Sequence, residues 1–249
     1  MTEERWQLEG SAAELYQRYL VPAITTKWAQ DLVDRAQLCA GEAILDVACG
    51  TGVVARMAAK MASHGGVTAL DLNEGMLAVA RSLPSEGAPI TWIQGSALDL
   101  PFPSDSFDVV FCQLGLQFFP DHERALREMH RVLKASGRAA LSVYGPIERT
   151  LGANAFALAL DDVLGAHASR IKRGEHSFAD PSQLEILLKD AGFDLVDVQT
   201  VVQTTVFPTV LDYVRFQLLA TPMTVLLKDV NEPDRQATIE SVARNTVAL

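Results

Sequence analysis

The residues best placed to do chemistry lie in one short stretch, Ala43–Val54, reading AILDVACGTGVV. A carboxylate, Asp46, comes late in an apolar run, and Ala48-Cys49-Gly50-Thr51-Gly52 follows as a turn of small residues. Gly50 and Gly52 carry no Cβ, so the backbone can turn sharply there and a ligand can approach it closely. Val53–Ala62 then reads as a helix, whose N-terminus offers unpaired N–H groups to whatever sits there. A second carboxylate, Asp71, stands at the end of the next apolar run (VTALDL), where it can accept hydrogen bonds from both hydroxyls of a ribose. Strand, tight turn, helix and strand-end acid together serve the holding of an adenosine-like ligand. The Gly-x-Gly-x-x-Ala spacing of Gly50, Gly52 and Ala55 also fits a dinucleotide fingerprint.

The elements that must position these groups alternate between strand and helix. After Asp71, Asn73 predicts an N-cap for a helix over Glu74–Leu83, with Met76 one turn in. Ile90–Gln94 reads as strand three and ends at Gly95-Ser96-Ala97. Asp108–Gln113 (DVVFCQ) is nearly continuous apolar, as a strand covered on both faces should be. Its carboxyl end releases Gln113, Leu114 and Gln117 where ligands bind in open α/β sheets. Asp121–Lys134 is an amphipathic helix, Arg138–Tyr144 strand five, Pro181–Ala191 a helix, and Phe193–Phe207 alternates enough for a sixth strand. The leader over 9–40 reads as helix broken at Pro22, and packs across the pocket's mouth with Tyr16 and Trp28 available to a ligand. Residues 211–249 read only as helix.

A chain of 249 residues suits a single α/β domain, expected here as a helical cover over 1–40, a ligand-binding core over 41–144, a substrate lid over 145–180 and a C-terminal part over 181–249. A net charge of −10 argues against sequence-independent nucleic-acid binding and against anionic membrane surfaces. No apolar run reaches the roughly 18 residues that a membrane span needs. Cys39, Cys49 and Cys112 fit neither a zinc site nor a disulfide framework, so no metal is expected and the thiols suit a cytoplasmic protein. A homodimer is compatible with all of this.

The ordered motifs carry a resemblance. D-x-[GA]-x-G-x-G over Asp46–Gly52, then ALDLNEGML, GSALDLPFPSDSFDVVFC and REMHRVLKASGRAAL, resemble the class I S-adenosylmethionine-dependent methyltransferases. Within them the likeness is greatest to the small-molecule branch of ubiquinone and menaquinone biosynthesis. It extends from about Tyr16 to Val143, more weakly from Phe178 to Phe207. The resemblance implies a Rossmann-like, doubly wound, mostly parallel sheet in the order 3-2-1-4-5-(7)-6, with helices on both faces and a helical lid. Nothing in the all-helical tail supplies the seventh strand, which leaves either a chain that stops short of it or a six-stranded sheet. The resemblance also implies S-adenosylmethionine as methyl donor, held by Tyr16, Asp46, Ala48, Gly50, Thr51, Gly52, Asp71, Leu72, Met76, Gly95, Ser96, Ala97, Gln113 and Leu114. Ser96 stands where the family commonly has an aspartate facing the adenine amino group, so the backbone at Ala97 and Leu98 becomes the more dependable contact.

Methyl transfer from a sulfonium is an in-line displacement at an already activated carbon. Alignment and exclusion of water are the protein's main tasks, and no catalytic dyad is required. If the acceptor gives up a proton, the candidates to take or steer it are Tyr16, Gln113, Gln117, His167 and His176, of which only the histidines titrate near neutrality. Leu114, Leu116, Phe118, Phe119 and the helix over 151–164 suggest an apolar acceptor pocket, suited to a small hydrophobic or aromatic molecule methylated on oxygen, carbon or nitrogen. Two other readings stand beside this one. An NAD(P)-dependent oxidoreductase would use the same turn and Asp71, although no Tyr-x-x-x-Lys pair accompanies them. A non-catalytic adenosyl-ligand-binding protein would keep the fold alone.

Overall fold

The computed structural model describes residues 12–62 and 65–248. Its centre is a parallel sheet of β1 (Ile44–Val47), β2 (Val67–Asp71), β3 (Ile90–Gln94), β4 (Phe107–Gln113) and β5 (Leu133–Ser142), in the order β3-β2-β1-β4-β5. All four pairings are parallel, and the crossovers through helices leave β1 and β4 at the point where the strand order reverses. The apolar runs become strands because both faces are covered: Ile44, Leu45, Val109, Val110 and Phe111 are fully buried. One face packs on the helix His122–Val132 through Leu126, Met129 and Val132. The other packs on Thr26–Ala36 and Val53–Met61 through Val33, Val54, Ala55 and Ala58. Asn73 caps the helix Glu74–Ser82 as its side-chain oxygen accepts from the Met76 N–H.

The expected sixth strand does not form. Phe193–Phe207 carries no regular secondary structure, and among the described residues the sheet has five strands. An open cleft lined by Ala139, Leu141 and Val143 on one side and Val196, Val198 and Thr200 on the other separates this segment from β5. A strand needs a neighbour for its N–H and C=O groups; with none in the cleft the alternating pattern has nothing to pair with, and Leu195 and Val202 stand 98 % and 89 % exposed. No seventh strand occurs among the described residues either.

Pro22 does not break the leader. Ala12–Leu15, Tyr16–Thr25 and Thr26–Ala36 run on as one helical rod, the middle part wound as a π-helix. The wider spacing, seen where the Thr26 N–H reaches the Val21 carbonyl, lets the chain pass a residue that has no N–H to give. The first eleven residues of the expected helical cover lie outside the described part.

The stretch over 145–180 is more regular than its glycines suggest. It contains the helices Leu151–Leu164 and Arg170–Gly174. They pack with Val210–Leu219, Pro222–Leu227 and Glu232–Ala248 around Phe156, Leu160, Val214, Leu218, Met223 and Val242, a core separate from those on the sheet.

Candidate functional site

A cavity of about 230 Å³ opens at the carboxyl ends of β1, β2 and β4. Its floor is the turn after β1. Ala48 and Leu114, the residues directly beyond or close to the ends of β1 and β4, both adopt the left-handed backbone region, with φ +55° and +51°. For residues with a Cβ this costs on the order of 1–3 kcal/mol each, strain that concentrates at sites where the backbone must face a ligand. Gly50 (φ +55°) has open space where a Cβ would be, so any side chain there would project into the cavity. Gly52 has a different task. It does not line the cavity; a Cβ on it would lie 2.3 Å from the Trp92 ring, so its smallness serves packing under the turn.

The two acids divide the work. Asp71 accepts from the Gly50 N–H (2.7 Å) through one oxygen and the Asn73 N–H (2.8 Å) through the other. It thereby ties the glycine turn to the end of β2, and each oxygen keeps a lone pair for a ribose hydroxyl. Burial raises its carboxyl above the usual range, against those hydrogen bonds. Asp46 is deeper, 1 % exposed, and accepts from the Ala55 N–H at 3.0 Å, stitching β1 to the first turn of the next helix. Desolvation pushes its carboxyl up to about 8. Thr51 is buried on the wall, and its hydroxyl oxygen has no protein partner among the described residues. An orphaned buried polar atom beside a turn that a Cβ would fill fits an absent polar ligand.

Of the other expected binding residues, Tyr16, Leu72, Met76, Gly95, Ala97, Gln113 and Leu114 line the cavity. Ser96 does not, because its hydroxyl is turned back to accept from the Leu98 N–H at 3.1 Å. Gln113 donates to the Thr25 carbonyl at 2.8 Å, pinning the leader helix across the mouth. Burial raises the Tyr16 hydroxyl to about 12, and its hydrogen bond to Thr25 works the other way.

Three catalytic candidates are corrected. Gln117 is buried beneath the floor, its amide donating to the Leu114 carbonyl, and lines no part of the cavity. The apolar packing of the 116–118 turn draws its side chain inward, as it does Leu116. His167 is exposed in the turn between the helices Leu151–Leu164 and Arg170–Gly174 and does not line the cavity. His176 is buried; its Nδ1 lies 2.7 Å from the Gly145 carbonyl and its ring tilts on Tyr144. It faces the neighbouring cleft rather than the cavity.

Other residues in the cavity carried no motif. Lys172 and Glu175 come from the helix Arg170–Gly174 and its C-cap, Gln217 and Thr221 from the C-terminal helices and the link between them, Tyr144 from beyond β5. Lys172 and Glu175 show in the sequence only as charges among others, and Tyr144, Gln217 and Thr221 carry no signal at all.

Comparison with known proteins agrees with this geometry. Residues 45–141 match the family described as a methyltransferase domain. A demethylmenaquinone methyltransferase of Symbiobacterium thermophilum is 34% identical over 199 residues, 72% of this chain and 79% of that one. The demethylmenaquinone methyltransferase of Listeria monocytogenes is 40% identical over 117 residues, 46% of this chain and about half (49%) of that one. A putative methyltransferase of Bacillus halodurans superposes with a TM-score of 0.52 at 26% identity, covering 68% of this chain and 70% of the other.

Proposed function

This chain belongs to the class I S-adenosylmethionine-dependent methyltransferases of the menaquinone and ubiquinone type, and from that premise we propose that its acceptor is a quinol-like hydroxylated ring. The observation that carries the reading is the wall of the cavity. Beside the polar turn that suits an adenosyl group stand Leu20, Ile24, Phe118, Phe119 and Pro222, an apolar enclosure sized for a flat ring. Names of the two demethylmenaquinone methyltransferases point to the same chemical class. The methyl donor supplies an activated methyl on a positively charged sulfur. The chain's residues then bind, orient and keep water out.

In this reading Asp71 holds the ribose, Met76 and the backbone at Ala97 the adenine, and Gly50 and Thr51 border the remainder of the donor. The leader helix and the lid close over both ligands. Gln113 fixes the leader and borders the meeting point of donor and acceptor. The acidic balance of the chain fits a small acceptor and leaves nucleic acid outside the reading, and three cysteines without disulfide spacing fit a cytoplasmic setting. Among the described residues no helix is long and apolar enough to cross a membrane, and no cluster suits a metal ion. Family membership sets the oxidoreductase and the non-catalytic readings aside.

Methyl-tritiated donor incubated with the protein and reduced 2-prenyl-1,4-naphthoquinone tests the proposal. Label in the organic phase that depends on both components is the expected result. Tight binding of the donor with label only in water-soluble acceptors, across a metabolite extract, would overturn the quinol assignment.

A further inference from the structure

We propose that Lys172 and Glu175 form the polar end of the acceptor chamber and select a ring hydroxyl, Glu175 taking its proton and Lys172 holding the resulting oxyanion. This rests on the acceptor class proposed above. Both side chains are buried, 7% and 6% exposed, with Lys172 Nζ donating to Glu175 Oε2 at 2.6 Å and to Gln217 Oε1 at 3.1 Å. All three residues line the cavity that also contains Asp46 and Asp71.

A buried ion pair is poorly explained as a stabiliser. Removing two charges from water costs several kcal/mol, and apolar residues of similar volume often serve stability as well or better. An ammonium also has three donors, and Glu175 and Gln217 take two of those of Lys172. The centre of the Tyr144 ring lies 5.9 Å from Nζ, a loose contact that leaves the third N–H able to turn to a ligand in the same cavity.

The surroundings assign the roles. Tyr16, Tyr144 and Tyr213 lie near the pair, and burial raises each hydroxyl well above the neutral range, so they remain protonated and can hydrogen-bond an acceptor without taking its proton. His176 borders the pair in the sequence, but it faces the neighbouring cleft and does not line the cavity. Asp71 and Asp46 are committed to backbone N–H groups of the donor's turn. Glu175 is therefore the carboxylate placed to accept a proton from an acceptor, and Lys172 the cation placed to neutralise what is left.

The step balances without another reactant. The acceptor's O–H bond breaks, and its proton goes to the Glu175 carboxylate. The oxyanion pairs with the Lys172 ammonium, which stays protonated. An electron pair of that anion, from the oxygen or from a conjugated ring carbon, forms the bond to the methyl carbon while the carbon–sulfur bond breaks and its pair stays on sulfur. If carbon is methylated, the hydrogen on that carbon leaves to water as a proton, its bonding pair restores the aromatic ring, and Glu175 returns its proton to the ring oxygen.

The full chain saturated with S-adenosylhomocysteine is titrated anaerobically with reduced 2-prenyl-1,4-naphthoquinone and with its dimethyl ether, which has no proton to lose. Wild type should prefer the quinol by about tenfold or more, the weight of one charge-assisted hydrogen bond. Lys172→Met should erase the preference and leave S-adenosylhomocysteine affinity within about threefold, while Lys172→Arg should restore it in part. Glu175→Gln should still bind the quinol but lower kcat by about a hundredfold, the usual weight of a lost general base. Should Lys172→Met fail to fold, the double variant Lys172→Met/Glu175→Leu, which leaves no unpaired charge, carries the same comparison. A preference that survives in either variant overturns the assignment. So does a large loss of S-adenosylhomocysteine affinity, which would give the pair to the amino-acid end of the donor. Wild type that binds S-adenosylhomocysteine but neither ring compound overturns the quinol class itself, and this assignment with it.

Discussion

Asp46 and Asp71 are both strand-end carboxylates withdrawn from water, yet their partners give them opposite sensitivities. Asp71 holds the Gly50 N–H and faces the cavity, so Asp71→Ala removes the anchor of the turn as well as an acceptor for the ribose. Two charge-assisted hydrogen bonds at roughly 1.5–3 kcal/mol each predict a loss of S-adenosylhomocysteine affinity of more than about a hundredfold. Calorimetry on a folded Asp71→Ala variant with native affinity would contradict it. Gly50→Val places a branched side chain in the cavity at a φ it rarely adopts, and should abolish binding while circular dichroism stays native. Asp46 is read by pH instead. Its carboxyl, raised to about 8 by burial, keeps its proton in the folded protein at pH values where the unfolded chain, near 3.8, has lost it. The native state thus binds more protons, and ligand-free stability falls as pH rises from about 4 to 8, by up to about 1.4 kcal/mol per unit from this group. His176 and His122, both lowered by burial, act in the reverse sense below their ordinary range, so the Asp46 contribution is the difference between wild type and Asp46→Asn. Chemical denaturation at pH 5.5, 6.5 and 7.5 should give a stability difference between the two proteins that moves steadily in the variant's favour as the pH increases; a difference that stays constant would mean Asp46 is ionised throughout.

The strand-turn-helix units are the part of the molecule written locally in the chain. β1, β2 and β4 begin and end within a residue or so of their apolar runs, because a strand buried on both faces must be apolar along its length and must stop at a turn; β3, at the sheet's edge, is legible from its alternation instead. The site residues on those turns were legible for the same reason. What was not legible depends either on distant partners or on short-range bonds that residue type alone does not announce. Phe193–Phe207 has a strand's alternation and lacks a strand's neighbour, and nothing in its own residues says so. Pro22 signals a break, but the helix passes it by widening one stretch of turns. Gln117 and Ser96 have the right chemistry at the right height, and local hydrogen bonds turn both away. The Gln113 amide joins two such elements. Its bond to the Thr25 carbonyl is the link between the end of β4 and the leader helix. Gln113→Leu should therefore speed amide exchange over 16–36 by about tenfold, near the worth of one hydrogen bond of 1–1.5 kcal/mol, and lower turnover without unfolding the sheet. Unchanged exchange in the leader would show that packing alone holds it.

At the scale of the whole molecule, two cores meet at one cavity. The sheet and its flanking helices form the first, around Leu45, Val110 and Phe111. The second has no strand in it: Phe156, Leu160, Val214, Leu218 and Met223 join the lid to the C-terminal helices, and Gln217, Ala220, Thr221 and Pro222 extend from it into the cavity wall. The donor's turn thus belongs to one body, and the Lys172, Glu175 and Gln217 cluster to the other. A body with its own core can open as a unit while the other stays folded, which lets a water-excluding site admit a hydrophobic ring and then close. Leu218 is fully buried at the centre of the second core, and Leu218→Ala should cost about 2–5 kcal/mol there. Amide exchange over 151–164, 210–219 and 232–248 should then accelerate together, while β1 and β4 keep their protection. Donor affinity should fall modestly, since only part of the cavity wall loosens, and the KM for the ring acceptor should rise more. If the strands accelerate in step with the helices, the two cores unfold as one and the cover does not open separately.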